Sequence, residues 1–357
     1  MASNPLARRS FLTGLGAAAL GGCASAGAGL AAPRTTTVTA AGPPLKVAPS
    51  AGALPKRKLG KTGAEVSVIG LGGYHLGSLP DHQAARRLVH EAIDSGVTFM
   101  DNAWEYHGGK SEEWMGRALE GKRDQVFLMT KVCSHGRDAA TAMKQLEDSL
   151  RRLRTDHVDL WQVHEVVYEN DPELHHRDNG VVAALDRARQ QGKTRFVGFT
   201  GHKSPAIHLE MLSFGYPYDT VQLPLNPFDG TFRSFEQLVL PVLAQRDIAA
   251  IGMKAFNGGA QAIKKGVLEP EEALRYVLSL PVATVVTGCD SLAVLRQNVA
   301  IARDATPMSP EDMEALRERV ALLAADGRFE LYKTSKRFDG EVGREVHGFP
   351  TSAELPL

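Results

Sequence analysis

The chain has 357 residues, 43% of them hydrophobic and 23% charged, with 41 basic and 41 acidic side chains and a formal net charge of zero. That composition is globular, and with no long single-sign run it offers no electrostatic footprint for nucleic acid. The three cysteines, Cys23, Cys133 and Cys289, have neither metal-cluster spacing nor the density of a disulfide framework.

Arg8-Arg9-Ser10-Phe11-Leu12 precedes a short, small-residue apolar stretch from Thr13 to Gly22. The pattern resembles a twin-arginine signal, which exports folded proteins, and the apolar run is too short to span a bilayer. Leu20-Gly21-Gly22-Cys23 also matches a lipoprotein cleavage box, so an acylated Cys23 and an ordinary cleavage near Leu30-Ala31-Ala32 both remain open. The signal region is expected over 1–32, and a flexible Ala-, Gly-, Pro- and Thr-rich tether over 33–55. Export to the periplasm follows as an expectation, with the export machinery as a partner and membrane attachment only through a lipid on Cys23.

Beyond Arg57, strand-like and helix-like segments alternate, which predicts a parallel sheet with helical crossovers. Leu59-Gly60-Lys61-Thr62-Gly63 reads as a hairpin turn, and Glu65–Leu71 as the first barrel strand, ending at Gly72-Gly73, where a backbone can closely approach a ligand. His82–Ser95 carries Ala85, Leu88, Val89, Ala92 and Ile93 at helical spacing. A second strand runs into Asp101, and a helix follows from Ser111, its expected N-cap, to Leu119. The third strand ends at Lys131, the helix Ala139–Leu153 follows, and the fourth strand, Val158–Val163, runs into His164.

An insertion from Glu165 to Asn179, carrying Tyr168, His175 and His176, is expected above the active face as a lid. Further pairs follow: helix Val181–Gln191, strand Arg195–Thr200, helix Pro205–Phe214, strand Thr220–Leu223 and helix Phe235–Gln245. Then come strand Ile248–Met253, helix Pro270–Leu280, strand Ala283–Thr287 and helix Leu292–Ala302. Eight pairs predict a (β/α)8 barrel over 56–325, with a further helix at Pro310–Ala324 and an irregular tail at 326–357.

In such a barrel every parallel strand delivers its C-terminal end to one face, so Asp101, Lys131 and His164 converge there, with Tyr106 five residues beyond Asp101. Each also has an ordinary structural use: Asp101 as a cap, Lys131 as a solvated charge, His164 as a partner for backbone, Tyr106 as packing. Four together at consecutive strand ends point instead to carbonyl reduction. Tyr106 would be the proton donor, made more acidic by Lys131, with Asp101 the countercharge and His164 orienting the carbonyl. Because no side chain carries hydride, a nicotinamide cofactor is implied. Trp104 and His107 flank Tyr106 as candidate substrate contacts, although Trp104 serves equally as packing. Glu165, His175 and His176 near His164 raise a metal-dependent hydrolase as a competing reading, but adjacent histidines in a polar loop are usually solvated, and no metal is expected.

From Arg57 to Ala302 the chain resembles the aldo-keto reductases. The likeness is carried by Leu59–Gly63, Gly70-Leu71-Gly72-Gly73, Asp101-Asn102-Ala103 with Tyr106, Thr130-Lys131, Asp159-Leu160 through His164, and Gly192-Lys193 leading into Val197–Thr200. The resemblance implies that Tyr106 is the acid, tuned by Lys131 and Asp101, with His164 orienting a small carbonyl or alcohol substrate. It implies a cofactor, NAD(H) or NADP(H), extended across the barrel mouth. Thr200 and Gln222 would lie near its carboxamide, Met253 under its ring and Asn298 near its adenine. Gly72, Gly73, Asp101, Lys254 and Gly288 would line the same groove. Thr287-Gly288-Cys289-Asp290-Ser291 lacks the basic residues that usually hold a 2′-phosphate, leaving Arg296 or Lys254 to compensate. A catalytically silent, cofactor-binding module is the alternative on the same fold.

Overall fold

In the computed structural model, residues 52–133 and 138–335 are described, together with positions 338, 350, 351 and 354. The Arg8-Arg9 pattern, Cys23 and nearly all of the tether lie outside the described residues. No helix among the described residues is long and apolar enough to cross a membrane.

Strands β1 (Lys56–Lys58) and β2 (Glu65–Ser67) form an antiparallel hairpin. Eight parallel strands then close a barrel: β3 (Ile69–Gly72), β4 (Phe99–Asp101), β5 (Phe127–Cys133), β6 (Val158–His164), β7 (Thr194–Thr200), β8 (Thr220–Pro224), β9 (Ala249–Met253) and β10 (Thr284–Gly288), with β10 pairing back onto β3. The expected single strand Glu65–Leu71 is therefore two. The Ser67 hydroxyl bonds Ile69 O at 2.7 Å and accepts from Thr98 N at 2.8 Å, turning the chain from hairpin to barrel at that point.

The helices are α1 (Gly73–Leu76), α2 (His82–Asp94), α3 (Lys110–Ala118), α4 (Ala139–Leu153), α5 (Asp171–His176), α6 (Val181–Gln190), α7 (Pro205–Ser213), α8 (Phe235–Leu238), α9 (Leu240–Gln245), α10 (Gln261–Lys264), α11 (Pro270–Ser279), α12 (Leu292–Asp304), α13 (Pro310–Ala324) and α14 (Leu331–Thr334). Side-chain caps set several starts: Asp81 accepts from Ala84 N, Ser204 from Ala206 N, and Ser309 from Asp312 N. The predicted helix Phe235–Gln245 breaks at Val239, because Pro241 has no N–H to bond back and its ring crowds the preceding turn. Ser111 is not an N-cap. Gly109 holds that position, and the Ser111 hydroxyl donates instead to Gly73 O at 2.5 Å.

Inside the barrel, Phe99, Phe127, Met129, Leu160 and Ile251 pack with Leu59 and Val66 of the hairpin, which plugs the end where the strands begin. Phe127 stacks between Phe99 and Phe196, with ring centroids 5.4 and 6.2 Å away. The opposite end is left for polar side chains. The insertion after β6 is partly helical, as α5, and its histidines are not solvated. His175 is fully buried, and His176 stacks on Phe214 at 4.2 Å and bonds Pro172 O and the Tyr218 hydroxyl.

The described part of the tail is ordered by charge. Lys333, on α14, is buried and reaches Asp229 Oδ1 at 2.6 Å, Glu330 Oε2 at 3.0 Å and Phe232 O at 2.7 Å. Removing one partner of a buried ion pair strands the other, at a cost of about 3–5 kcal/mol. Lys333→Ala is accordingly expected to lower the denaturant midpoint of unfolding by that much stability, and an unchanged midpoint would mean the tail does not brace the barrel.

Candidate active site

β-Pairing sets the strand ends level. Gly72 pairs with Asp101 and Gly288, Cys133 with His164, and Thr200 with Gln222. Gly73 lets α1 begin directly on top of β4, since a Cβ there would lie 2.4 Å from Asp101 O. At Gly73 the chain itself thus makes a close approach, to the backbone of Asp101. Over Gly288, likewise, the His75 ring lies where a Cβ would sit, 2.3 Å from it.

Lys131 projects from the middle of β5 and is 1% exposed. Its ammonium lies 2.5 Å from Asp101 Oδ1, donates to Asn102 O at 2.7 Å and to the Tyr106 hydroxyl at 3.3 Å, and sits 4.8 Å from the Tyr106 ring centroid. Tyr106 begins a short 3-10 turn, Tyr106–Gly109, whose left-handed residues His107, Gly108 and Gly109 fold the loop back over the barrel. The His164 ring stands edge-on to Tyr106, with centroids 5.8 Å apart. The three residues predicted from the strand ends and Tyr106 therefore do meet.

Four further residues complete the cluster. Glu105 faces His164 Nδ1, and Glu165 lies 4.0 Å from His164 Nε2. Glu165 also lies 3.0 Å from His202 Nδ1. Tyr74, 54% exposed, stands edge-on to Tyr106 at 5.4 Å. Residue-by-residue reading did not single out Glu105, His202 or Tyr74. Their nearness to His164 and Tyr106 in sequence or on facing strand ends was the available signal.

Electrostatics here differs from the expectation. Burial pushes the Tyr106 phenol well above its usual range, and the charges of Asp101, Glu105 and Glu165 push it in the same direction. Lys131 does not outweigh them, so the resting phenol holds its proton firmly. Burial lowers the Lys254 ammonium, and Lys131 adds to that, while Glu165 and Asp101 oppose it.

Trp104 is held as packing: Arg152 lies 5.5 Å over its ring, donates to Trp104 O and pairs with Glu112. His107 braces Tyr74, bonding its carbonyl at 2.8 Å with the rings 4.8 Å apart. Among the cofactor candidates, Thr200, Gln222 and Asn298 are buried, and Met253 is half-buried at the end of β9. Gln222 Nε2 reaches Asp101 Oδ1 at 3.5 Å, while Gln222 Oε1 and Asn298 Oδ1 are buried without a hydrogen-bond partner among the described residues. Arg296 is committed elsewhere, through Nε and Nη2 to Glu91. Lys254 lies 5.3 Å over the Tyr332 ring. Among the described residues no group of three or more His, Cys, Asp or Glu side chains is set to hold a metal ion.

Residues 68–272 match the model of the aldo/keto reductase family. The chain belongs to that family. It is 26% identical to an uncharacterised oxidoreductase of Bacillus subtilis, over 73% of this chain and 95% of that protein. It is 27% identical to the L-galactose dehydrogenase of Arabidopsis thaliana, over 75% and 93%. In structure it is similar to an aldo-keto reductase from Bacillus halodurans in its holo form, with a TM-score of 0.63, 24% identity, and 74% and 96% of the two chains covered. It is also similar to the glycerol dehydrogenase of Gluconobacter oxydans, with a TM-score of 0.61, 23% identity, and 76% and 96% covered. These last two likenesses speak to the eight-stranded fold.

The sign of the Tyr106 shift can be checked. A phenolate is repelled by neighbouring carboxylates, so deleting one charge eases ionisation. A difference titration of phenolate absorbance against Tyr106→Phe should place the Tyr106 step above about pH 10, and Glu105→Gln should bring it down. An upward move in Glu105→Gln would refute the assigned cause.

Proposed function

We propose that this protein is a nicotinamide-dependent oxidoreductase that reduces carbonyls of small molecules to alcohols or runs the reverse reaction, with Tyr106 as the proton donor. One observation carries the reading: a buried ammonium, Lys131, lies 2.5 Å from Asp101 and 3.3 Å from the Tyr106 hydroxyl, with His164 alongside.

Tyr106 keeps its proton at neutral pH and gives it to the substrate oxygen as negative charge builds there. Lys131, held by Asp101 and Asn102 O, then stabilises the phenolate left behind. His164, steadied from its Nδ1 side by Glu105, positions the substrate oxygen. Tyr74 and Tyr106 form an aromatic wall beside it. The reduced nicotinamide supplies hydride when bound. The buried, unpartnered acceptors Gln222 Oε1 and Asn298 Oδ1 fit its carboxamide and adenine amino groups, with Thr200 and Met253 alongside. Relatives named as L-galactose dehydrogenase and 6-dehydroglucose reductase favour a sugar or related polyol over a simple aldehyde.

The Arg8-Arg9 pattern supports export of the folded chain with its nicotinamide loaded beforehand and slowly released. Two substrates would then be oxidised and reduced in turn on one bound cofactor.

Two measurements test these statements. Tyr106→Phe is expected to lower kcat by about 10²- to 10⁴-fold while still binding nicotinamide, and full activity in that variant would remove the assigned acid. Native mass spectrometry of protein recovered from the periplasm is expected to show a bound nicotinamide nucleotide. Its absence there would contradict loading before export.

A further inference from the structure

Beside His164 the ends of β6 and β7 are joined with unusual closeness. Val166 N donates to Thr200 O at 2.9 Å. Gly201 carries no Cβ, and one there would lie 2.5 Å from Val166 O and 2.8 Å from both Val166 Cγ2 and the His208 ring. This approach sets the side chains flanking the joint together, Glu165 Oε2 against His202 Nδ1 at 3.0 Å. Both residues are buried, at 6% and 4% exposure. The proton route from Tyr106 does not run through them, although the Glu165 charge helps to hold the proton on the phenol.

Burying a carboxylate without a purpose is costly, so the state of this one matters. Burial by itself would raise Glu165, but His202, His164 and Lys254 outweigh it and hold the group well below the usual carboxylate range. His202 is drawn down by burial against the pull of Glu165. His202 Nε2 is buried and has no hydrogen-bond partner among the described residues. The pair is thus a fixed negative acceptor beside a polar atom still in need of one.

Its position gives this charge a consequence. Glu165 Oε2 lies 4.0 Å from His164 Nε2, the group proposed to hold the substrate oxygen. A bare carbonyl has no hydrogen to offer a carboxylate and is repelled by it. A hydroxyl has one. Oxygens on adjacent carbons are spaced about a hydrogen-bond length apart, so a substrate held by Tyr106 and His164 brings its neighbouring hydroxyl within reach of Glu165.

We propose that the Glu165–His202 pair reads a hydroxyl on the carbon next to the reacting one, so that the substrates are α-hydroxy carbonyls and the corresponding vicinal diols. The inference rests on the oxidoreductase reading of Tyr106 and His164. A hydrogen bond to a charged acceptor in a buried site distinguishes a substrate with the hydroxyl from one without it by roughly 10- to 100-fold.

The test compares kcat/KM of the full chain for hydroxyacetone against acetone, and for propane-1,2-diol against propan-2-ol, with either nicotinamide nucleotide. The wild-type ratio is expected to be at least about 10 in favour of the hydroxylated member. Glu165→Leu is expected to bring that ratio close to 1, with Glu165→Gln between, because a neutral amide still accepts more weakly. A purely structural role would slow both members alike and leave the ratio where it was, which would overturn the assignment. A wild-type ratio below about 3 would overturn it without any variant, so a misfolded Glu165→Leu does not shield it. Turnover of none of the four compounds would instead sink the oxidoreductase reading, and this inference with it.

Discussion

The ion pair between Lys131 and Asp101 is the constraint around which the barrel mouth is built. With side-chain exposures of 1% and 4%, neither charge can rely on water, and each would be expensive without the other. Neighbouring strands β4 and β5 deliver the two groups, and Gly73 lets α1 settle on the backbone of Asp101 itself. Because the ammonium already has Asp101 and Asn102 O, its third donor direction is left for the Tyr106 hydroxyl. The loop through His107, Gly108 and Gly109 turns back to meet it there.

The carboxylates complete a balance. Glu105 and Glu165 bracket His164 and raise the cost of a phenolate at Tyr106, while in the proposed mechanism Lys131 would stabilise that phenolate once the proton has left. A resting acid that holds its proton and a neighbouring cation that favours the product state are complementary, since the stabilisation is greatest when charge develops. The C-terminal segment closes one side of this region: Tyr332 stands 5.9 Å from His202 and beneath Lys254, and Lys333 and Glu330 pin it to Asp229 and Asn226.

The barrel and the four residues gathered at its mouth were legible in the sequence for one reason, even though β5 runs two residues past Lys131. A parallel strand puts its last residues on a known face, so Asp101, Lys131 and His164 could be placed without knowing any loop. Tyr106 followed because it lies only five residues on. What depended on loop shape was hidden. Nothing local shows that Glu105 turns to His164, or that Gly201 brings His202 onto Glu165, because those contacts join separate crossovers. Of the two uses open to Trp104, the packing one depends on Arg152, 48 residues away, which lies over its ring and bonds its carbonyl. Ser111 had the chemistry of a cap, but Gly73 O offered its hydroxyl a tertiary partner. His175 and His176 looked solvated because their loop is polar, yet α5 tucks them against the barrel.

The central claim is that Lys131 and Tyr106 act as one unit in proton transfer, and a double-mutant cycle on kcat/KM measures that directly. With Tyr106→Phe in place there is no phenolate for Lys131 to stabilise, so adding Lys131→Met is expected to slow the enzyme by no more than about threefold further. If the two losses multiply in full, the ammonium and the phenol work independently, and the coupled proton transfer assigned to them is wrong.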